Sequence, residues 1–168
     1  MTAESFSSAP RPFGTVLVAN RGEIAVRVLQ AAREAGLRGI AVYSDPDAGS
    51  LHVEVADNAV HLPGDTLAET YLNAGAIISA AKSSGADSIH PGYGFLSERA
   101  DFAKAVEDAG LVWIGPPAEA ISTMGDKISA RIRMVESGVP VIPGEELSVP
   151  DGAKHLGVLA VCAARVGY

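Results

Sequence analysis

Residues 15–43 read TVLVANRGEIAVRVLQAAREAGLRGIAVY. Thr15 to Ala19 is a short apolar, β-rich run, and from Glu23 to Ala35 the residues Ile24, Val28, Leu29 and Ala32 recur at helical spacing. Asn20-Arg21-Gly22 between them leaves room only for a tight turn. Gly36 stands where a left-handed residue ends a helix at least cost, and Gly39 to Tyr43 is a second strand of the buried type. Strand, helix and strand joined this closely predict two parallel strands with a helical crossover.

The alternation continues outward from this unit. Ser44 to Ser50 (SDPDAGS) is turn chemistry, Ala59 to Leu62 a third strand, and Tyr71 to Ser84 an amphipathic helix with Leu72, Ile77, Ile78 and Ala81 apolar. Ser88 to His90 then reads as a short strand, Pro91 to Phe95 as a loop, Ser97 to Ala109 as a helix and Leu111 to Ile114 as a further strand. The expected fold class is α/β, an open parallel sheet flanked by helices on both faces. After Pro116 the strand signal fades into helical patterns at 118–123 and 127–137, followed by Val139 to Ile142 and a last helix near Asp151 to Val166. The reading is a tail over residues 1–13, an α/β domain over 14–125, and an interrupted second domain over 126–168.

Composition narrows the class. In 168 residues, 13 basic and 20 acidic side chains give a net charge of −7, so no broad field draws the chain to nucleic acid or to an anionic membrane. Apolar residues make up 48% and aromatic residues 5%, the balance of close helix-on-sheet packing. Cys162, the single cysteine, excludes an intrachain disulfide and reads as a buried structural thiol. No apolar run approaches the roughly 20 residues of a membrane-spanning helix. The opening MTAESFSSAPRP is polar and carries Glu4, unlike a secretory or Arg-rich targeting segment, so a cytoplasmic protein is expected.

Three segments carry candidate chemistry. The first βα turn, Asn20-Arg21-Gly22-Glu23, lies where an open α/β sheet presents ligands to helix N-H groups, yet it lacks the GxGxxG that a dinucleotide pyrophosphate requires. Structural capping and ligand contact both fit it. His90-Pro91-Gly92-Tyr93-Gly94-Phe95-Leu96-Ser97-Glu98 follows a strand, and its glycines open backbone N-H groups to a substrate, with Ser97 and Glu98 suited to begin the next helix. A tight connection with His90 and Tyr93 packed fits as well. Met124-Gly125-Asp126-Lys127 puts a lysine at a turn between helices, either solvated or reaching a phosphate. No GxxxxGK[ST] and no GxSxG occurs, and His52, His61 and His155, without partners at ligand spacing, read as surface residues.

Taken together, VANRGEIAVR, HPGYGFLSE and IGP followed by MGDKISAR resemble the opening of the biotin carboxylase family, which includes parts of acetyl-, propionyl- and pyruvate carboxylases. The resemblance runs from about Gly14 to Gly144 and is looser from Glu145 to Tyr168. It implies a Rossmann-like pre-ATP-grasp domain followed by the start of an ATP-grasp domain. It also implies a ligase reaction in which ATP, with magnesium or manganese, activates bicarbonate as carboxyphosphate and biotin is carboxylated.

By position, Lys127 matches the family lysine that contacts ATP, and Tyr93 with Gly94 lies in the loop lining the biotin and bicarbonate side. Asn20, Arg21, Gly22, Glu23, His90, Pro91 and Gly92 match family signatures, the first of them shaping the sheet edge. The implied partners are a biotin carboxyl carrier domain, a carboxyltransferase component and, in the complete enzyme, a second copy of the chain. The family's remaining nucleotide, metal and catalytic residues belong downstream, so no catalytic residue and no metal ligand is assigned here. This stretch alone is expected not to turn over ATP or to hold its cofactors strongly. The alternatives are a non-catalytic nucleotide-binding or assembly-interfering domain and, more distantly, another ATP-grasp ligase.

Overall fold

In the computed structural model, which describes residues 12–142 together with Val161, Ala163 and Ala164, the opening unit forms as its periodicities dictate. β1 (Thr15–Val18) leads through the Asn20-Arg21 turn into α1 (Gly22–Glu34), and Gly36, at φ +70°, turns the chain into β2 (Arg38–Tyr43). α2 (Leu51–Glu54) precedes β3 (Asn58–His61); α3 (Ala74–Ser84), β4 (Ser88–His90), α4 (Ala100–Asp108) and β5 (Val112–Trp113) complete the sheet layer. α5 (Ala118–Gly125) and α6 (Lys127–Glu136) follow. The expected α/β class with a parallel sheet is what forms.

All strands pair in parallel, in the order β3-β2-β1-β4-β5. Alternate residues of the central strands feed two cores, as a two-residue period requires. Leu17, Ala19, Ile40, Val42 and Ile89 pack with Ile77 and Ala81 of α3 and Phe102 and Val106 of α4. Val18 and Ala41 face the other way, against Ala25 and Leu29 of α1. Chain order moves from β1 outward to β2 and β3, then returns to β4 on the other side of β1. The C-terminal ends of β1 and β4 therefore flank the point where strand order reverses, the place at which open α/β sheets build ligand crevices.

Several boundaries differ from the sequence reading, each for a local reason. The helix expected from Tyr71 begins at Ala74, because the Asn73 side chain caps it by accepting from the Ala76 N-H at 3.0 Å. Ser97 and Glu98 do not start α4; they lie in a 3-10 turn over Phe95–Glu98, and Arg99 holds the N-cap. His52, expected at the surface, is fully buried on α2, its Nε2 donating to the Val42 carbonyl at 3.2 Å. His61 does reach solvent, 2.7 Å from Asp45.

The chain divides into two compact units, Met1–Ser122 and Thr123–Tyr168. In the second, Asp126 caps α6 by accepting from the Ser129 N-H at 2.8 Å, and Gly138, at φ +74°, follows its end. Val161, Ala163 and Ala164 are helical, while Cys162, His155 and most of the expected last helix lie outside the described residues. Among the described residues no helix is long and apolar enough to cross a membrane.

Candidate functional site

Two motifs that lie some 70 residues apart in sequence interlock at the ends of β1 and β4. Asn20 is fully buried between them. Its Nδ2 donates to the Pro91 carbonyl and to the Tyr93 carbonyl, each at 2.9 Å, and its Oδ1 accepts from the Arg21 N-H at 2.9 Å. The amide of one asparagine thus uses both donors and an acceptor to hold the loop after β4 onto the turn after β1. The Ala19 N-H donates to the His90 carbonyl at 2.8 Å and extends the same seam.

Gly92 is required by this close approach. It has φ +68°, and a Cβ there would stand 2.8 Å from Asn20 Nδ2 and 2.8 Å from Ile24 Cγ2. His90 Nδ1 accepts from the Gly92 N-H at 2.9 Å, which leaves the ring proton on Nε2. Burial pushes the His90 pKa down, so the ring is neutral at pH 7. Tyr93 stands out at the apex, 61% exposed, with its hydroxyl donating to Glu23 at 3.3 Å across the crevice.

Arg21 leaves the turn in the other direction. Its Nε donates to Asp47 Oδ2 at 2.7 Å, and its NH2 group makes a second, short bond to Oδ1 of the same carboxylate. Asp47 is buried, and it also accepts from the Tyr71 hydroxyl at 2.7 Å and the Ser44 hydroxyl at 3.3 Å. The Arg21 guanidinium holds the Asp47 carboxyl well below the usual carboxylate range, with the Tyr71 bond adding to the effect. Burial and the Asp47 bond push the Tyr71 hydroxyl up. Gly22, at φ +60°, begins α1.

Beside Tyr93 a groove of about 510 Å³ runs along α1, with Ile24, Arg27, Val28, His90 and Ile114 in its wall. Its lining is mostly aliphatic, with Arg27, His90 and Tyr93 as the residues that bear polar groups. Lys127 belongs to the second unit, as the first residue of α6, and is exposed. No group of three or more His, Cys, Asp or Glu residues among those described is placed to hold a metal ion. These residues do not make a magnesium site.

Of the residues marked from sequence, Asn20 to Glu23 and His90 to Gly94 meet at one place. Sequence reading missed Asp47, Tyr71 and Phe95. Asp47 sits in a segment that looks like generic turn chemistry, and the apolar spacing after Tyr71 places that residue in a helix. The one available signal was an aspartate and a tyrosine in polar segments after β2 and β3, beside an arginine with no local partner.

Comparison with known proteins agrees with this geometry. Residues 12–121 match the family described as biotin carboxylase, N-terminal domain. The alpha3 subunit of a biotin-dependent acyl-coenzyme A carboxylase from Mycobacterium leprae is 51% identical over 161 residues, covering 96% of this chain and 26% of that protein. A biotin carboxylase from Halalkalibacterium halodurans is 49% identical over 158 residues, 93% of this chain and 34% of that one. The crystal structure of the biotin carboxylase domain dimer of Hydrogenobacter thermophilus 2-oxoglutarate carboxylase, in complex with MgADP, ADP and bicarbonate, superposes with a TM-score of 0.81 at 41% identity. It covers 95% of this chain and 34% of that structure. The chain thus spans about a quarter to a third of the length of these relatives. An open parallel sheet whose first turn is locked to the HPGYG loop, matched over most of its length to one domain, makes this chain a member of the biotin carboxylase N-terminal domain family.

Proposed function

We propose that this chain is the substrate-side first domain of a biotin carboxylase, presenting Tyr93 and Gly94 toward biotin and bicarbonate and Lys127 toward the phosphates of ATP. Residues 126–168 then begin the ATP-grasp part, and the carboxyl group passes through a carrier domain to a carboxyltransferase component. The observation that carries this reading is the clamped loop: Asn20 fixes its backbone, while the Tyr93 ring stands exposed at the crevice between β1 and β4. A rigid backbone under an exposed aromatic ring favours stacking on, or bonding to, a planar ureido ring. In the complete reaction ATP activates bicarbonate as carboxyphosphate; this chain's part is to bind and orient. Among the described residues no group of three or more His, Cys, Asp or Glu side chains gathers to hold a metal ion, and the purified chain is expected to show no ATP turnover in a phosphate-release assay.

The test uses a full-length biotin carboxylase carrying residues 14–142 of this chain. Lys127→Ala removes a charged donor to phosphate, and KM for ATP is expected to rise about 10- to 100-fold with the bicarbonate KM little changed. Tyr93→Ala is expected to raise KM for biotin about 10-fold and leave the ATP KM alone. Unchanged ATP kinetics in the first variant would return Lys127 to a solvated helix start. An unchanged biotin response in the second would remove Tyr93 from the site.

A further inference from the structure

The loop that carries Tyr93 has an unusual backbone. Gly92 and Gly94 have φ +68° and +66°, and the next residue, Phe95, has φ +48°, the one positive value at a residue other than glycine among those described. For a bulky side chain this conformation is strained, and it persists only where surrounding contacts over-determine it. Asn20 restrains the loop at Pro91 and Tyr93, upstream of the strain. Something else must hold it at Phe95.

That restraint comes from Tyr71. Its ring is 1% exposed and stacks on the Phe95 ring, with centroids 5.7 Å apart and planes 8° from parallel. The Tyr71 hydroxyl is bonded in turn to Asp47 and accepts from the Ser44 N-H at 3.1 Å. Asp47 is held by Arg21, whose guanidinium carbon lies 5.9 Å from the centre of the Tyr71 ring. Arg21 follows Asn20 directly in the chain. The contacts therefore close on themselves: Asn20, Arg21, Asp47, Tyr71, Phe95 and back through the Tyr93 carbonyl to Asn20.

We infer that Tyr71 and Asp47 are positioning residues for the Tyr93 loop, acting through Phe95 and Arg21 and touching no substrate themselves. This rests on the reading that Tyr93 faces biotin. A closed ring of contacts fixes the loop on both sides of Tyr93, which one anchor at Asn20 would not do. A polar path and a stacking path meet at Tyr71, so its two functions separate by substitution. Tyr71→Phe keeps the stack and loses the bond to Asp47; Tyr71→Leu loses both.

Amide hydrogen exchange of the 168-residue chain tests the clamp directly. Tyr71→Leu is expected to speed exchange over residues 92–98 by about 10-fold, with a smaller rise in Tyr71→Phe, and to leave β1 and β2 unchanged. Exchange that is unaltered at 92–98, or that rises equally across the sheet, overturns the inference by reducing Tyr71 to ordinary core packing. In the full-length enzyme described above, the same variants are expected to raise KM for biotin several-fold and to leave KM for ATP unchanged. If Tyr93→Ala weakens the biotin response and Tyr71→Leu does not, positioning by Tyr71 fails while the assignment of Tyr93 stands. If Tyr93→Ala changes nothing, the biotin reading fails, and the exchange result alone decides the clamp.

Discussion

Asn20→Ala is expected to lower the melting temperature of the chain by roughly 10–15 °C, the equivalent of about 3–4 kcal/mol in a domain of this size. The side chain is fully buried, and truncation leaves the Pro91 and Tyr93 carbonyls and the Arg21 N-H without their partner. An orphaned buried backbone group costs about 1–3 kcal/mol, far more than the net gain from making the bond. A small void adds to this. Asn20→Asp separates the two contributions, since it keeps the shape and fills the void, yet sets a carboxylate oxygen against two carbonyls that need donors. Both variants are expected to be damaged at pH 7, with Asp at least as severely as Ala. A loss under about 1 kcal/mol in both, measured by urea titration with unchanged slope, would mean that water satisfies the loop carbonyls.

That asparagine also marks how far the sequence could be read. The sheet was legible because its signals are local: Leu17 and Ala19 alternate with Val16 and Val18, and α1 repeats Ala25, Leu29 and Ala32 on its buried face. Strand-end loops bracketed by glycines pointed to residues 20–23 and 90–94 for the same reason. What could not be read was which loops touch. Asp47 lies 26 residues from Arg21 and 24 from Tyr71, and no periodicity encodes such pairings. Tyr71 looked helical because Tyr-Leu precedes an apolar repeat, but Asn73 offers a cap that starts α3 beyond it. His52, with no partner at ligand spacing in the sequence, reads as a surface residue, whereas the Val42 carbonyl gives it a reason to be buried. The 3-10 turn at Phe95–Glu98 opens on the positive φ of Phe95, whose ring stacks on Tyr71, a contact made only in the tertiary structure.

The acid limb of stability is expected to carry the signature of the same clamp. Asp47 has a pKa lowered in the folded state, chiefly by Arg21, relative to an unfolded value near 3.9. A carboxylate shifted in this direction contributes stability that is complete above about pH 4 and is lost as pH falls toward its folded pKa. His52 and His90 also have lowered folded values, both through burial, so they cost stability earlier, as pH drops below about 6.5 and the unfolded chain binds protons first. The chain is expected to weaken in two stages on acidification. Asp47→Ala isolates the second. At pH 7 it is expected to cost about 2–4 kcal/mol, because the Tyr71 hydroxyl loses its buried acceptor and Arg21 its bidentate partner. The gap between variant and parent, followed as urea midpoints, is then expected to hold constant from pH 7 to about pH 5 and to shrink below about pH 4, where the parent carboxylate begins to be protonated in the unfolded state. A gap that stays constant down to pH 2 would mean that the charge of Asp47 contributes nothing and that its role is steric. A gap that instead widens between pH 7 and pH 5 would place a linked proton on His52, whose folded pKa the Asp47 carboxylate raises, so that its removal makes the buried ring costlier still on acidification.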